Sequence, residues 1–366
     1  MSTMLDALPQ QPRFATAREP MTEETPAIPP PPRGVSAVTR PPGITLAPRE
    51  TDVTKQNQPL VHSCPCGFCA AANRQELETR FQWMFDFMTT TKQDPARFKE
   101  TISKLNRTGL QRMASLMTSD SDYFLEIARN EHGSKRMQNL LGKSDDVDAL
   151  FCAAILRIFL SVMTDKNASY VAVRAMRVFD GQKKESMCEL ILHHALHLAS
   201  DQHGCVALNE IITDLDHPYY RNQLLGVVSH NALSLSYDPY GNFVIQHVLR
   251  LNDLHCTRNI VVRLRGYCAD LSLRKYGSYI VERLLEEEKS MFVVVDELLK
   301  CENDRLVRLA RSDYGNFVVR KALEVTKKEK IRANLFLGLV HKLKPFLPLL
   351  RKSRGSNIAA ILDSVC

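Results

Sequence analysis

The sequence lacks a long uninterrupted hydrophobic run and lacks the pattern of a secretory signal. Its most apolar stretches, such as residues 147–163, are interrupted by charge and are too short to span a bilayer. The first ten residues have no basic head followed by an apolar run, so we expect no export signal. Ten cysteines are scattered through this chain, and without an export signal we expect reduced, mostly buried thiols in a cytoplasmic or also nuclear protein.

Proline and glycine are scarce over most of the chain. Most of the prolines fall in residues 1–75, including the run Pro29–Pro32, where large apolar residues are also sparse. Such a segment buries too little surface to offset the entropy of ordering, so we predict a disordered, Pro-rich tail over residues 1–75. From about residue 76 the chain becomes continuously helical in pattern. The formal charge of +7 is mild and is compatible with a polyanionic ligand without requiring one.

A seven-residue pattern recurs along the helical region. Its copies begin at His132, Asn167, His203, Tyr240, Tyr276, Tyr314 and Arg354. Their third positions are 134, 169, 205, 242, 278, 316 and 356, separated by 35, 36, 37, 36, 38 and 40 residues. The second position is glycine in every copy except the one that begins at Asn167.

Apolar residues precede each copy in register, as in the buried face of a helix. Seven residues before the third positions lie Ile127, Val162, Leu198, Leu235, Leu271, Leu309 and Leu349. Ten residues before them lie Phe124, Phe159, Ala195, Ala232, Cys268, Leu306 and Phe346. Each unit is therefore predicted to be a helix, a tight turn at the glycine and a second helix. Such units must stack to bury their apolar faces, which predicts an all-α fold, an α-solenoid.

The strings of the pattern closely resemble the repeats of the Pumilio (PUF) family, in a plant-like form. The stretch from Asp238 to Leu249, with the core Tyr240-Gly-Asn-Phe-Val-Ile-Gln246, is near a consensus copy, and an Asp precedes the core also at Asp201 and Asp313. The resemblance implies a curved superhelix and a Pumilio homology domain over residues 76–366. That domain divides into an N-terminal cap or eroded repeat (76–120), repeats (121–350) and a C-terminal capping repeat (351–366).

The resemblance also implies how RNA is read. On the second helix of a unit, positions i and i+4 share a face and reach the edge of one base, while the side chain at i+1 packs against base faces. We call i, i+1 and i+4 the first, second and third reading positions. The residues assigned to RNA contact are Ser134, Lys135, Gln138, Ser169, Tyr170, Cys205, Asn209, Asn242, Phe243, Gln246, Ser278, Tyr279, Glu282, Asn316, Phe317 and Arg320.

In the family, Asn with Gln reads uracil, Ser with Glu reads guanine, and Cys or Ser with Gln reads adenine, with the RNA antiparallel to the protein. Transferred to this sequence, Asn316 takes U, Ser278 with Glu282 takes G, and Asn242 with Gln246 takes U. Cys205 with Asn209 then takes A, which gives a UGUA core. Ser134 with Gln138 favours a further A downstream.

Four features depart from the family pattern. Arg320 replaces the expected Gln and has only donors, so it cannot accept the uracil N3–H. Asn209 is shorter than Gln and lies near Val206, which has no ring. Val173 cannot hydrogen-bond a base edge, so its unit is expected to tolerate any nucleotide. The last copy, Ser356, Asn357 and Ala360, is typical of a cap and not of a reader.

Other sites were weighed against this interpretation. The cluster of Cys64, Cys66 and Cys69 with His62 has thiolate spacing plausible for zinc, but nothing downstream completes a standard site, so we predict no metal, no cofactor and no catalytic residue. We expect Trp83 in the core and not as a stacking platform. Basic residues near the reading helices are candidates for the RNA backbone path: Lys135, Arg136, Arg174, His247, Arg283, Lys321, Arg351, Lys352 and Arg354.

The expected function is binding of single-stranded mRNA with UGUA-like elements in 3′ untranslated regions, with repression of translation or promotion of decay through recruited co-repressor proteins. We expect no membrane partner. One alternative is a nucleolar-type relative that binds ribosomal RNA precursors with loose specificity, favoured by the degenerate positions. Another is a protein-binding solenoid that has lost RNA binding, against which the two intact reading triplets argue.

Overall fold

The regular structure of the chain is helical throughout the part described by a computed structural model, residues 67–91, 95–328 and 333–365. Its helices are α1 (Gly67–Thr89), α2 (Pro95–Ser103), α3 (Arg107–Thr118), α4 (Ser121–Arg129), α5 (Glu131–Leu140), α6 (Asp145–Arg157), α7 (Phe159–Met163), α8 (Ser169–Val178), α9 (Gly181–Ala199), α10 (Gly204–Asp214), α11 (Pro218–His230), α12 (Ala232–Tyr237), α13 (Gly241–Arg250), α14 (Leu254–Leu264), α15 (Cys268–Ser272), α16 (Lys275–Leu284), α17 (Glu288–Lys300), α18 (Asn303–Arg311), α19 (Gly315–Lys327), α20 (Ala333–Leu343), α21 (Leu347–Arg351) and α22 (Ser356–Asp363), with a 3-10 turn at Lys344–Phe346. The all-α prediction is confirmed. Helix α1 begins inside the segment assigned to the tail, whose residues 1–66 lie outside the described part.

Six of the seven units in the described part contain three helices where the sequence predicted two. In the fourth unit, for example, α11 and α12 precede the helix α13 that carries the seven-residue pattern. The predicted pair corresponds to the second and third helices, and the pattern gives no sign of the first. The third unit is an exception, because the single helix α9 takes the place of the first two.

The helices form two parallel rows, which is the arrangement of an α-solenoid. First helices contact one another in the order α3, α6, α9, α11, α14, α17 and α20. The pattern-bearing helices, here called reading helices, contact one another in the order α5, α8, α10, α13, α16, α19 and α22. Each reading helix therefore places the same three positions along one continuous row, one set per unit.

The pattern glycine is required by a close approach and not by an unusual backbone angle. A Cβ on Gly241 would lie 3.0 Å from the carbonyl oxygen of Leu235, and one on Gly277 would lie 2.5 Å from that of Leu271. Positive φ angles among the described glycines occur elsewhere, at Gly142, Gly181 and Gly266. The reading helix thus begins in contact with the end of the helix before it, which fixes where its side chains lie.

An acidic side chain holds this turn in the second, third and fourth units. Asp238 Oδ1 accepts hydrogen bonds from the backbone N–H groups of Tyr240 (2.8 Å) and Gly241 (2.6 Å), which caps the reading helix. Asp201 does the same in the third unit. In the sixth unit a serine takes this role. Ser312 Oγ accepts from the N–H of Gly315 at 3.0 Å, and Asp313 pairs with Arg354 at 3.1 Å.

The predicted apolar stripe is buried in the first six units, as at Ile127 and Leu271. It fails in the last unit, where Leu349 is 48% exposed and the neighbouring Leu350 is fully buried. The shift follows from a shorter connection, because five residues separate Leu350 from Gly355, where six separate Leu309 from Gly315.

The described residues contain no helix long and apolar enough to cross a membrane. Within the same ranges, no group of three or more His, Cys, Asp or Glu side chains is placed to hold a metal ion. The cysteines whose side chains are described there are buried and free: Cys152, Cys188, Cys205, Cys256, Cys268 and Cys301. The cluster of Cys64, Cys66 and Cys69 lies outside the side chains that the structure describes.

Candidate nucleic-acid interface

The second reading positions form a row of exposed side chains, most of them rings. Tyr170, Phe243, Tyr279 and Phe317 are each more than a third exposed, although each lies between buried neighbours on its helix. Because adjacent reading helices are in contact, Phe243, Tyr279 and Phe317 follow one another at intervals of one unit, and Tyr170 lies two units before Phe243. Flat apolar faces at such intervals are suited to stacking against successive bases.

The first reading positions lie below this row. Asn242 is fully buried, and its amide donates to the backbone carbonyls of Asp238 (3.0 Å) and Pro239 (2.9 Å). Asn316 makes the equivalent pair of bonds, to the carbonyls of Ser312 (2.8 Å) and Asp313 (3.1 Å). These asparagines therefore fasten the start of the reading helix, a second role that the sequence interpretation did not assign to them.

The third reading positions are half-buried and contact the first, as their spacing predicts. Gln246 Nε2 donates to Asn242 Oδ1 at 3.0 Å, and Gln138 Nε2 donates to Ser134 Oγ at 3.2 Å. Among the described residues the carbonyl oxygen of Gln246 has no hydrogen-bond partner. The hydrogen bond to Asn242 therefore orients the Gln246 side chain and leaves its carbonyl oxygen available to a ligand.

Glu282 is the charged member of the row. Its carboxylate is half-buried, and burial raises its pKa above the ordinary value of 4.5, an effect opposed by the nearby cations Arg320 and Lys321. No hydrogen bond to this carboxylate exists among the described residues, while Ser278 Oγ below it donates to the carbonyl of Lys275 at 3.1 Å. Glu282 is thus a carboxylate with both oxygens available to a ligand.

Two side chains at third positions have buried polar atoms without partners in the described part of the chain, Asn209 Oδ1 and Arg320 Nε. The Arg320 guanidinium lies 6.0 Å from the centre of the Phe317 ring, and its Nη1 is 3.3 Å from Glu324 Oε1. A buried polar atom left unpaired costs about 1–3 kcal/mol. Both atoms lie at positions assigned to base contacts.

The reading positions of the remaining units have fewer exposed polar groups that could bind a base. Val173 is buried and belongs to the core, as does Ser169 beside it, while the cap residues Ser356 and Ala360 are exposed. Cys205 is buried, which raises the pKa of its thiol to about 11, so the group stays protonated at neutral pH. It donates to the carbonyl of Gln202 at 3.5 Å.

The basic residues near the row are less uniform than the sequence indicated. Lys321 Nζ lies 3.2 Å from Glu286 Oε1, and Arg283 also pairs with Glu286, so both charges are partly neutralised. His247 Nε2 is 2.9 Å from Thr213 Oγ1, and burial lowers its pKa. Arg136 is buried and bonds to carbonyls at the end of α1, so its assignment to the RNA backbone path is wrong.

The expectation that Trp83 lies in the core is also wrong. Its side chain is 61% exposed and stacks on Phe87, with ring centres 5.4 Å apart and planes 9° apart. The neighbours Met84 and Met88 on α1 are the buried residues. A single helical turn of alternating aromatic and apolar residues does not show which of them faces inward.

The row of units matches known repeats. The family model of the Pumilio-family RNA binding repeat matches residues 194–226, 231–262 and 267–299, from the third unit to the fifth. Putative pumilio homolog 20 of Arabidopsis thaliana is 57% identical over 354 residues, which cover 96% of this chain and 98% of the relative. Pumilio homolog 18 of the same plant is 60% identical over 300 residues, 82% of this chain and 90% of the relative.

Solved structures of the same kind share the fold. The Puf4 RNA binding domain bound to the HO endonuclease RNA 3′ UTR recognition sequence aligns over 80% of this chain and 91% of its own, with a TM-score of 0.67 and 20% identity. PUF-8 in complex with PBE-RNA aligns over 82% and 86%, with a TM-score of 0.63 and 18% identity. At these identities the likeness establishes the solenoid architecture.

Proposed function

Since the chain belongs to the Pumilio family of RNA-binding repeat proteins, we propose that it binds single-stranded RNA with sequence specificity for UGUA-like elements. One base lies against each reading helix, and the RNA runs antiparallel to the units. The observation that carries the proposal is the row of three adjacent helices α13, α16 and α19, each with an exposed ring between a first and a third polar position.

The central G is specified by Glu282. A carboxylate accepts hydrogen bonds from both N–H groups on the guanine edge, whereas uracil and cytosine cannot supply that pair of donors. The absence of a protein donor on this carboxylate in the described residues leaves it free for the base. Gln246 specifies the following U, because its open carbonyl oxygen accepts the uracil N3–H and its amide can donate to an exocyclic oxygen.

The two unpaired buried atoms acquire partners when RNA binds. Asn209 Oδ1 accepts from the amino group of adenine at the fourth base, and Arg320 Nε–H donates to a carbonyl oxygen of the first uracil. Arg320 has no acceptor, so discrimination at the first base is looser than at the second and third. The base that lies against α8 can be any of the four, so the full element is UGUA followed by any base and then by A.

The proposed cellular role is regulation of messages. The target RNAs carry the element in 3′ untranslated regions, and the bound protein represses translation or promotes decay by recruiting partner proteins, in the cytoplasm or also in the nucleus. The 3′ UTR sequences bound by the structurally similar Puf4 domain support this role. The chemistry belongs to the recruited partners, and we assign no catalytic residue to this chain.

The test is the affinity of the full chain for a short RNA containing UGUA against a matched RNA containing UCUA, at a stated salt concentration. We expect at least about tenfold preference for UGUA, roughly 1.4 kcal/mol. Equal, salt-sensitive binding of both RNAs would favour the loose ribosomal-RNA type of role, which the ring-free position Val206 and the buried Val173 also favour. Binding of neither RNA would contradict the proposal and favour a protein-binding solenoid.

A further inference from the structure

Helix α1 extends the row of reading helices by one member. It contacts α5, the first reading helix, and also α4 of the same unit. No copy of the seven-residue pattern marks α1, and α2 and α3 separate it from α5 in the chain. Its place at the end of the row therefore comes from packing and was not evident from the sequence.

The burial pattern of α1 matches that of a reading helix. Trp83 is exposed and immediately precedes buried Met84, just as exposed Phe243 precedes buried Val244 in α13. One turn later, buried Met88 corresponds to buried Val248. In this register Trp83 occupies the second reading position of α1, the position of the stacking rings.

The polar residues of α1 follow the same register. Gln82 and Asp86 fall at the first and third reading positions, and Gln82 Nε2 donates to Asp86 Oδ1 at 3.1 Å. The bond from Gln246 to Asn242 in α13, at 3.0 Å, joins the same two positions. Unlike Asn242, Gln82 is exposed, so this pair lacks the buried anchor of a true reader.

Direct bonds hold α1 in this register. Tyr123 Oη donates to the carbonyl of Phe81 at 2.7 Å. The buried guanidinium of Arg136, on α5 itself, donates to the carbonyls of Phe87 (3.1 Å), Met88 (2.8 Å) and Thr90 (2.9 Å) at the end of α1. The helix end is thus satisfied by the neighbouring reading helix, and Trp83 is carried on a fixed support.

We propose that Trp83 is a stacking platform for single-stranded RNA, placed beyond the base read by Ser134 and Gln138. This inference rests on the proposed function and extends its surface by one step on the 3′ side of the element. The occupant is a nucleobase, because the indole stands at the same helix position as the exposed rings of α8, α13, α16 and α19 in the same row of helices. The adjacent second position is Lys135, which offers no ring, so the indole is the aromatic face available at this end of the row. Stacking tolerates any base, and the platform adds affinity without adding sequence discrimination.

The chain contains one tryptophan, so its fluorescence reports this position alone. The full chain is titrated with three RNAs: UGUA, UGUA with four adenines added at the 3′ end, and UGUA with four adenines added at the 5′ end. We expect the 3′-extended RNA to quench the tryptophan emission and the other two to leave it unchanged.

Variants separate stacking from simple lengthening of the RNA. Trp83→Ala should weaken binding of the 3′-extended RNA about tenfold and leave binding of UGUA as it is. Trp83→Phe should retain most of the affinity, because the ring is kept. Tyr219→Ala is the matched control, since Tyr219 is also 61% exposed but lies on α11 in the row of first helices, and it should change neither affinity.

Failure of this inference is distinguishable from failure of the proposed function. If the parent protein does not bind UGUA, the proposed function is wrong. If it binds UGUA but the 3′ extension neither quenches Trp83 nor depends on it, the function stands and the platform is refuted. Quenching by the 5′-extended RNA alone would also refute the platform, because it would place α1 at the other end of the RNA.

Discussion

The two halves of the reading row differ in chemistry but not in construction. In the half formed by α13, α16 and α19, each second position is an exposed ring and each third position is polar. In the half formed by α5, α8 and α10, the second positions are Lys135, Tyr170 and Val206, and the third position of α8 is the buried Val173. The buried stripe is nonetheless alike in both halves, and glycine stands at the turn of each of these units except the second, where Ala168 takes its place.

This difference teaches that folding and reading depend on different positions of one helix. The stack requires the buried residues that follow the second position, such as Val244 and Ile245, together with a small residue at the turn, which is glycine in six units and Ala168 in the second. Base recognition requires the second and third positions, which contribute little to the core. A unit can therefore lose its reading chemistry and keep its place in the solenoid, as α8 does.

The largest effect is expected from changing the base specificity of one reader in the half formed by α13, α16 and α19. Exchanging Ser278→Asn and Glu282→Gln together should replace the guanine reader with a uracil reader, because the carboxylate that accepts two donors is lost. We expect preference to change from UGU to UUU, a relative shift of about a hundredfold, roughly 2.7 kcal/mol. Competition binding of the two RNAs measures it.

The matched change in the other half is Ser134→Asn, which creates an Asn and Gln pair in α5. It should move preference at the sixth base from A toward U by a smaller factor, because Lys135 provides no ring beside that base. Unchanged selectivity of the double variant in α16 would mean that the register of bases on helices is wrong.

Removing a ring tests where affinity resides. Phe243→Ala should weaken UGUA binding by roughly 1–3 kcal/mol, the value of one base stacked on an aromatic side chain. Val206→Ala, at the same position of α10, should cost much less because valine offers no ring. Equilibrium titration of both variants at one salt concentration gives the comparison, and equal losses would contradict a difference between the halves.

Substitution of the turn glycine tests the stability of the solenoid without changing a residue that contacts a base. Gly277→Ala would place a Cβ 2.5 Å from the carbonyl oxygen of Leu271, so the helix must shift, at a cost of roughly 1–3 kcal/mol in the free energy of unfolding. Gly226→Ala is the control, because a Cβ there meets nothing within 4 Å and helix propensity should make the change stabilising by up to about 1 kcal/mol. Thermal or urea unfolding measures both, and similar destabilisation by the two would show that close approach is not the reason for Gly277.

The sequence predicted the parts of the fold that repeat. Register, period and the buried stripe follow from aligned copies, and so does the row of reading positions. The first helix of each unit was missed because its apolar residues follow no string shared between copies. Leu349 was expected in the buried stripe, but the buried residue is Leu350, because the connection to the pattern glycine is one residue shorter in the last unit.

Spacing predicted which residues share one face of each reading helix, but not how deeply each of them is buried. Spacing alone shows that Asn242 and Gln246 share a face, but not that the asparagine is buried and bonded to the backbone. The exposure of Trp83 and the burial of Arg136 depend on how α1 packs on α5, a contact between segments with no common pattern. Such contacts between unlike segments become visible only in the structure.

The smallest expected effect is a dependence of guanine selectivity on pH. Guanine requires the ionised form of Glu282, whose pKa is raised by burial. Selectivity for UGUA over UUUA should therefore be full at neutral pH and begin to fall, on acidification, at a higher pH than for an ordinary glutamate, by at most about tenfold per pH unit since one proton is involved.

Protonation of Glu282 itself would not unfold the protein, because a carboxyl group with a raised pKa in the folded state destabilises the fold when ionised and ceases to do so when protonated. The variant with Ser278→Asn and Glu282→Gln serves as the control, since it has no titrating group at this position and should show flat selectivity over the same range. If the selectivity of the parent protein for G were equally independent of pH, the second base would be read by a group other than Glu282. The difference between the two halves would then not depend on this carboxylate.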